Sequence, residues 1–289
     1  MVSPVFHFSN QKGLYLMFQS VFEAVRKKKP LIHSITNYVT ANDCANLLLA
    51  CGASPIMADD PAEAEEVTAG CDGLVLNLGT LNRQRLDAML LAGNVSNALC
   101  HPVVFDPVGA GVSQFRTEAA QMLLSRLHFS VIRGNLSEIK TLTMGNCSSR
   151  GVDAGAADSI TEENLEQAAA FAKAASKKLG AVVAITGSID LVSDETTTYC
   201  IKNGHSLMAF VTGTGCQLSA LTAAFAASFP DDLATASAAA VCAMGLAGET
   251  AARRMGPQDG NASYRAYLID AIFNMTPEIL EKGASYEMR

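Results

Sequence analysis

Short apolar runs alternate with longer helical patterns along most of this chain, and this alternation is the feature that most constrains its fold. Runs rich in β-branched and aliphatic residues predict buried strands at residues 31–35, 54–57, 73–78, 102–105, 129–132 and 181–186. Helical spacing and composition occur between them, at residues 41–50, 62–68, 83–92, 117–127 and 162–179. Strands that alternate with helices form crossover units, so we expect an α/β fold with a central, mostly parallel sheet and helices on both faces.

The second half of the chain departs from this pattern. Short strands without intervening helices are expected over residues 191–201, and helical patterns then continue to the C-terminus. The uncharged segment 206–230 approaches the length of a membrane span, but glycine and threonine interrupt it, so we predict a buried helix behind a glycine turn. No repeat or linker divides the sequence. We expect one domain over residues 1–289, with residues 1–20 as a poorly ordered extension.

Composition and charge limit the kinds of molecule that this chain is expected to bind and the compartment in which it is expected to work. The 289 residues are 49% hydrophobic and 17% charged, which suits a packed core and excludes a disordered chain. The net charge is -7 and the only basic run, residues 26–29, ends a predicted helix, so we expect no nucleic-acid partner. The eight cysteines include no CxxC pair, and the N-terminus lacks the pattern of a secretory signal. Both features favour a reducing cytoplasm, without a membrane partner.

The strongest candidate for a site is the turn VTGTGC, which directly precedes an alanine-rich helix. Ligands of such a fold bind where the loops after the strands converge. Gly213, Thr214 and Gly215 leave the first backbone N–H groups of that helix open to an anion. Cys216 falls in the first helical turn, where the pKa of the thiol is expected to fall. The alternative is an ordinary loop followed by a buried cysteine.

Three further positions after strands carry polar groups. Asp106 could hold a metal ion or its water shell, or simply form a turn before proline. Asn135 and Glu138 have the spacing of a capping box, which would explain both without a function. Capping does not explain Arg133, a positive charge at a strand end that suits a bidentate phosphate contact. The hydroxyl group of Thr186, at the end of another strand, could also meet a phosphate.

Two loops, ITNYVT and ASPIMAD, have the composition of a small-molecule pocket. Asn37 supplies a polar group and Met57 an apolar one, although a methionine here is more often part of the core. The sequence contains no P-loop, GxSxG, HExxH or EF-hand motif, and no complete dinucleotide-binding motif. A nucleotide site would therefore be built from a glycine turn at a helix start, without a P-loop lysine.

Six segments resemble, in their order and spacing, those of the hydroxyethylthiazole kinases: HSITNYVTANDCAN, GASPIMADDPAE, DPVGAG, RGNLSEI, TGSIDLVSD and VTGTGCQLSAL. The resemblance covers residues 30–257 and implies a ribokinase-like α/β domain that uses ATP and Mg²⁺. The implied acceptor is the hydroxyl group of 4-methyl-5-(2-hydroxyethyl)thiazole, phosphorylated in thiamine biosynthesis and salvage. The resemblance also implies a homotrimer with active sites at the subunit interfaces.

The same resemblance assigns roles to the loop residues. The substrate positions are Met57, Asn37 and Gly213, the ATP positions are Arg133 and Thr186, and the Mg²⁺ positions are Asp106 and Glu138. Residues 213–215 form the implied anion hole. Cys216 stands where most ribokinase-like enzymes have an aspartate base, and a cysteine is usual in thiazole kinases. We expect Cys216 to assist late in the transfer or to position the alcohol.

Three other functions are compatible with these residues. A ribokinase-like kinase of another small alcohol, such as hydroxymethylpyrimidine kinase, would share every loop except the pocket. A hydrolase or transferase with Cys216 as nucleophile would need a base, and no histidine lies in a neighbouring loop. A ligand-binding protein that kept the fold without catalysis would not need an aspartate, an arginine, a glutamate and a cysteine together.

Overall fold

A single sheet forms the centre of the computed structural model, which describes residues 17–144 and 159–289. Within those ranges the strands are β1 (Leu31–Ile35), β2 (Ser54–Ile56), β3 (Gly73–Asn77), β4 (Val103–Asp106), β5 (Val131–Asn135), β6 (Val182–Thr186), β7 (Asp190–Ser193), β8 (Thr198–Ile201) and β9 (Tyr286–Met288). Their order across the sheet is β2-β1-β3-β4-β5-β6-β7-β8-β9. Strands β1 to β6 are parallel, and β7, β8 and β9 continue the sheet in antiparallel pairs.

Helices follow the strands as the crossover pattern requires. In the described ranges they are α1 (Met17–Lys28), α2 (Ala41–Cys51), α3 (Ala64–Ala69), α4 (Arg83–Ala98), α5 (Gln114–Arg126), α6 (Leu136–Met144), α7 (Leu165–Leu179), α8 (Thr214–Ser228), α9 (Leu233–Arg254), α10 (Asn261–Phe273) and α11 (Pro277–Gly283). A 3₁₀ helix, Ser206–Phe210, precedes α8.

The alternation of side chains along the strands gives the sheet two buried faces. On β3, Leu74 and Leu76 belong to one apolar cluster and Val75 to the other. Helices α3 to α7 cover the first face, and α1, α2 and α8 to α11 cover the second. The predicted α/β fold, with a mostly parallel sheet between two layers of helices, is confirmed.

The glycine turn and the helix behind it are also as predicted. In α8, every residue from Cys216 to Ala227 is buried. Among the described residues, α9 is the one helix long and apolar enough to cross a membrane, and 83% of that stretch is buried inside the protein. Small side chains let α8 and α9 pack closely, so both are core helices.

Three expectations about element bounds are corrected. Residues 17–20 are not a poorly ordered extension, because they begin α1, where Phe18 is buried against the core; residues 1–16 lie outside the described ranges. The C-terminal part is not helical throughout, because β9 adds a short strand beside β8. Strand β5 continues through Arg133 to Asn135, since its last residues pair with β6.

Candidate active site

The start of α8 lies against the loop after β1, through a close approach of the Gly213 backbone and the Thr40 side chain. Gly213, which precedes α8, has a φ of +83°, a left-handed conformation that favours glycine. The Cβ atom of Thr40 lies 2.8 Å from the point that a Cβ on Gly213 would occupy, so only glycine fits beside the loop after β1. No side chain of the described residues caps the helix. The first backbone N–H groups of α8, from Thr214 onward, are therefore left uncapped, which is the arrangement that an anion site at a helix start requires.

Cys216 lies in the first turn of α8 and is 9% exposed. Its sulfur accepts hydrogen bonds from Nδ2 of Asn37 and from Nδ2 of Asn77, both at 3.3 Å. The expectation that the helix start lowers the pKa of this thiol is wrong. Burial and the negative charge of Asp106 raise the pKa, and they outweigh the opposing hydrogen bonds and Arg133. Cys216 is therefore a neutral thiol at neutral pH.

Asp106 ends β4 and is fully buried. Its Oδ2 accepts two hydrogen bonds at 2.8 Å, one from Nδ2 of Asn77 and one from the hydroxyl group of Ser219. Its Oδ1 is buried without a hydrogen-bond partner among the described residues and lies 3.7 Å from Nη1 of Arg133. Burial raises the pKa of the carboxyl group above its usual range, although Arg133 and the two hydrogen bonds oppose this. One carboxyl oxygen is thus fixed in place by two hydrogen bonds, and the other faces the guanidinium.

The capping box at the start of α6 is present. Glu138 Oε2 accepts a hydrogen bond from the backbone N–H of Asn135, and Asn135 Oδ1 accepts one from the N–H of Glu138, both at 2.8 Å. The other carboxylate oxygen of Glu138 accepts the N–H of Gly109, in the DPVGAG loop, also at 2.8 Å. Burial and the charge of Asp106 raise the pKa of Glu138 to about 7, against these two backbone hydrogen bonds. Capping and a place beside Asp106 therefore coexist in one residue.

Arg133 joins the two sides of the site. Its Nη2 donates a hydrogen bond of 2.6 Å to the hydroxyl group of Thr186, and its Nη1 faces Asp106. The guanidinium also lies directly over Gly215, in the first turn of α8. Two groups of hydrogen-bond donors, the guanidinium and the open helix start, thus lie beside each other. An anion bound there could accept hydrogen bonds from both.

The structure brings most of the predicted site residues into one cluster at the carboxyl edge of β1, β3, β4, β5 and β6: Asn37, Asp106, Arg133, Glu138, Thr186, Gly213, Thr214, Gly215 and Cys216. Met57 follows edge strand β2 and is 37% exposed, outside this hydrogen-bonded cluster. With this exposure, Met57 is not the core residue that the commoner alternative suggests.

Sequence reasoning missed two members of the cluster, Asn77 and Ser219. Asn77 falls within a run that predicts an apolar strand, and Ser219 within a segment that predicts a helix of small residues. Asn77 is a polar residue at the carboxyl end of a buried strand, and Ser219 falls about one helical turn after Cys216. These placements were the available indications of a role at the site.

The carboxylates suit a hard cation that takes few protein ligands. Within residues 17–144 and 159–289, no group of three or more His, Cys, Asp or Glu side chains is arranged to hold a metal ion. The buried Oδ1 of Asp106 has no hydrogen-bond partner among the described residues, and Asp106 lies close enough for its charge to raise the pKa of Glu138. Mg²⁺ is commonly bound by one or two carboxylates together with phosphate oxygens and water, so this donor set fits it.

The fold is that of a ribokinase-like α/β protein. A solved structure of a ribokinase-like superfamily protein from Enterococcus faecalis V583 covers 94% of this chain and 91% of its own length, with a TM-score of 0.57 and 13% identity, which supports the fold alone. More specifically, the chain belongs to the hydroxyethylthiazole kinase family, whose model matches residues 22–278.

Two relatives support the family assignment over nearly the whole chain. A hydroxyethylthiazole kinase from Clostridium acetobutylicum is 51% identical over 271 residues, which are 94% of this chain and 99% of the relative. The structure of hydroxyethylthiazole kinase from Pyrococcus horikoshii OT3 is similar, with a TM-score of 0.83 and 34% identity, over 94% of this chain and 98% of that chain. The family predicted from the loop segments is confirmed.

Proposed function

We propose that this chain transfers the γ-phosphoryl group of ATP to the hydroxyl group of 4-methyl-5-(2-hydroxyethyl)thiazole, forming the monophosphate used in thiamine salvage. The observation that carries the proposal is the position of Arg133, whose guanidinium lies against both Asp106 and the open start of α8. Phosphoryl transfer needs mainly positioning and the stabilisation of charge on the phosphoryl oxygens. A guanidinium, backbone N–H groups and a carboxylate for a cation supply both, and membership of the family supports the choice of alcohol.

Each residue of the cluster has a distinct task in this proposal. Arg133 and Thr186 bind phosphate oxygens of ATP, and the N–H groups of Thr214 and Gly215 stabilise the charge on the transferring group. Cys216 lies where the acceptor oxygen would approach. Because a neutral thiol is a poor proton acceptor, we assign Cys216 the positioning of the alcohol oxygen or a late role in the transfer, not early removal of the proton.

We infer that Mg²⁺ is the cation of the site, held by Asp106 and Glu138. Glu138 has both oxygens engaged by backbone N–H groups, so it would act mainly through its charge and a bound water. When bound, Mg²⁺ neutralises charge on the phosphate oxygens. We leave the remaining ligands to ATP and water.

The acceptor side of the site is proposed to lie between Asn37, Met57 and Gly213. Three large apolar side chains near these residues in sequence are strongly exposed: Tyr38 by 76%, Val39 by 55% and Phe210 by 69%. Exposed apolar groups clustered at a site favour a covering partner. This supports our proposal of a homotrimer with active sites at the subunit interfaces. A stable and fully active monomer in analytical ultracentrifugation would refute it.

The cysteines support a cytoplasmic location for the enzyme. Each cysteine among the described residues is free, and Cys44, Cys51 and Cys242 are buried in the core as small apolar groups. Cys147 lies outside the described ranges. Free buried thiols are typical of proteins that work in a reducing compartment.

A coupled assay for ADP tests the proposed function. The purified chain is given ATP and Mg²⁺ with the thiazole alcohol, with hydroxymethylpyrimidine, or with no acceptor, and the product is identified by mass spectrometry. We expect rapid ADP release only with the thiazole alcohol, and loss of turnover when Mg²⁺ is chelated. A higher kcat/KM for hydroxymethylpyrimidine would favour the alternative kinase. Binding of the alcohol without any ADP release would favour a ligand-binding protein.

A further inference from the structure

Asn77 is a buried asparagine whose side-chain amide makes every hydrogen bond available to it. Its Nδ2 donates to Oδ2 of Asp106 at 2.8 Å and to Sγ of Cys216 at 3.3 Å. Its Oδ1 accepts from the backbone N–H of Gly79 at 2.9 Å and from Nδ2 of Asn37 at 3.1 Å. An amide has two donor hydrogens and two acceptor sites, so all four are used. A flipped amide would turn its oxygen toward the carboxylate of Asp106, and the orientation is therefore fixed.

The two donor hydrogens of Asn77 reach the two reactive groups of the site. At Asp106, Asn77 and Ser219 together occupy Oδ2, which leaves Oδ1 as the oxygen that faces Arg133. At Cys216, the hydrogen bonds from Asn77 and Asn37 occupy the lone pairs of the sulfur, since an amide N–H can only donate. The S–H of Cys216 must then point away from both amides.

These contacts make one side chain the link between the thiol and the acid. Asp106 lies on β4 and Cys216 on α8, and no hydrogen bond joins them directly among those of the described residues. Asn77 ends β3, which lies between β1 and β4 in the sheet. From this position its side-chain amide reaches both Asp106 on β4 and Cys216 on α8. A side chain that only filled space would not need both of its donors aimed at functional groups.

We infer that Asn77 is the positioning residue that sets Cys216 in its working place relative to Asp106. This inference rests on the proposed function, because it concerns the same phosphoryl transfer. Because Asn77 is fully buried and its four hydrogen-bonding sites are all used, we assign it no contact with ATP or the alcohol. Its effect on turnover passes through the direction of the Cys216 S–H and through its distance from the free oxygen of Asp106.

The first test replaces Asn77 by alanine and compares the effect on kcat with the effect on KM. We expect kcat of Asn77→Ala to fall about tenfold or more, because the change removes a hydrogen bond to the carboxylate of Asp106, worth about a factor of ten or more, together with a weaker one to the thiol of Cys216. The KM for ATP should stay within about twofold, since Arg133 and Thr186 are untouched. The inference would be overturned if kcat/KM for ATP fell only because KM rose, with kcat unchanged.

Asn203 offers a matched control. It is also buried, its Nδ2 donates to Glu249 and to the backbone carbonyl of Gly283, both at 2.9 Å, and its Oδ1 accepts from Ser285 at 2.7 Å. Asn203→Ala therefore removes a comparable set of hydrogen bonds in a region that anchors the C-terminal segment. We expect it to lower thermal stability and to leave kcat within about twofold of wild type.

A double-mutant cycle then asks whether the effect passes through the thiol. In the Cys216→Ala background, Asn77→Ala should lower kcat by about threefold or less, because the group it positions is already gone. A loss of the same size in both backgrounds would show that Asn77 does not act through Cys216, and would overturn the inference. If Asn77→Ala does not fold, Asn77→Ser replaces it, with one hydroxyl proton that can serve only one of the two partners.

A readout independent of turnover separates this inference from the proposed function. The alkylation of Cys216 by iodoacetamide is followed by mass spectrometry as a function of pH, with exposed Cys100 as internal reference. We expect the pH midpoint at Cys216 to rise in Asn77→Ala, because a hydrogen bond that favours the thiolate is lost, and to stay unchanged in Asn203→Ala. An unchanged midpoint would overturn the inference. If the wild type phosphorylates no alcohol, the proposed function fails, and this measurement still decides the role of Asn77.

Discussion

Nη2 of Arg133 lies 2.6 Å from the point that a Cβ atom on Gly215 would occupy. No backbone strain explains this glycine, because Gly215 is not among the residues with positive φ. Its lack of a side chain is what lets the guanidinium lie against the first turn of α8. The same closeness makes Gly215 a precise probe of Arg133, since an added methyl group must displace the guanidinium.

We predict that Gly215→Ala raises the KM for ATP about tenfold, because it costs Arg133 a charge-assisted contact worth about 1.5–3 kcal/mol. The free energy of unfolding should change little. Displacing the guanidinium costs little stability, because it is the end of a flexible side chain. Alanine also stabilises a helix by about 1 kcal/mol relative to glycine, which offsets part of that cost. Steady-state kinetics of the variant give its KM for ATP, and thermal unfolding of the same variant gives the change in its stability.

Gly70→Ala is the control for that substitution. At Gly70 an added Cβ would meet only the carbonyl oxygen of Val67, at an ordinary 3.7 Å, and the residue lies at the end of α3. Its KM for ATP should equal that of wild type. An unchanged KM in Gly215→Ala as well would remove Arg133 from the nucleotide site.

Asp106→Asn is predicted to lower kcat/KM by about a hundredfold while the fold is kept. Asparagine can place its oxygen at the Oδ2 position, where Asn77 and Ser219 donate, so those hydrogen bonds survive. The amide nitrogen then replaces Oδ1, which removes the one oxygen left for a cation. The ADP assay, repeated over a range of Mg²⁺ concentrations, should show the loss at every concentration.

Asp72→Asn is the matched control for this change. Asp72 precedes β3 at the opposite edge of the sheet, where it accepts the N–H of Leu31 at 2.8 Å and lies 3.4 Å from Nζ of Lys28. This half-exposed ion pair contributes about 0–1 kcal/mol to stability, so activity should be unchanged. Full activity in Asp106→Asn would exclude Asp106 as a cation ligand.

The Cys216 variants separate positioning from proton transfer. We predict that Cys216→Asp is at least as active as wild type, because a carboxylate can accept both the amide hydrogen bonds and the proton of the alcohol. The start of α8 favours its negative charge by about 0.3–1 kcal/mol. Cys216→Ala should keep a reduced rate, about tenfold lower, from Arg133 and the helix start alone. The measurement is kcat for each variant.

Cys51→Ala controls for the loss of a buried thiol, since Cys51 is fully buried and donates only to the carbonyl oxygen of Leu48. It should lose stability and keep its kcat. A well-folded but inactive Cys216→Asp would argue against any handling of the proton at this position. A trapped covalent adduct on the wild-type sulfur would instead favour the hydrolase alternative.

Much of the fold follows from local pattern, because buried parallel strands read as apolar runs and their ends mark the ligand edge. Asp106, Arg133 and Thr186 were found in this way, from their places at strand ends. Strand β9 was not, because three residues at the edge of a sheet carry too little apolar pattern to distinguish them from a tail. Its pairing with β8 depends on contacts distant in sequence.

The chemistry of the site was less predictable than its location. A helix start alone predicts a lower pKa for Cys216, but desolvation and the charge of Asp106 decide the direction, and both depend on tertiary packing. The role of Asn77 likewise depends on which neighbours its amide meets across three elements. Residue type and position in a strand cannot specify those partners.

We predict that His33, a fully buried residue of β1, makes the free energy of unfolding depend on pH. Its Nε2 lies 2.7 Å from the carbonyl oxygen of Ala58 and its Nδ1 lies 2.8 Å from the hydroxyl oxygen of Thr68. Burial lowers the pKa of His33 below its usual 6.5, although the Ala58 carbonyl and the charge of Asp59 oppose this. The folded state therefore binds fewer protons than the unfolded chain just below pH 6.5.

The resulting contribution to stability is complete above pH 6.5 and is lost as the pH falls through the lowered pKa, with a slope of at most about 1.4 kcal/mol per pH unit. His33→Gln stays neutral at every pH and can still donate one hydrogen bond, so it should lose less stability than wild type between pH 7 and pH 5. Both proteins share Glu138 and the other carboxylates, and the difference between their chemical unfolding curves isolates His33. His128→Gln, at an exposed position, should follow the wild-type curve. Parallel curves for wild type and His33→Gln would show that His33 titrates alike in the folded and unfolded states.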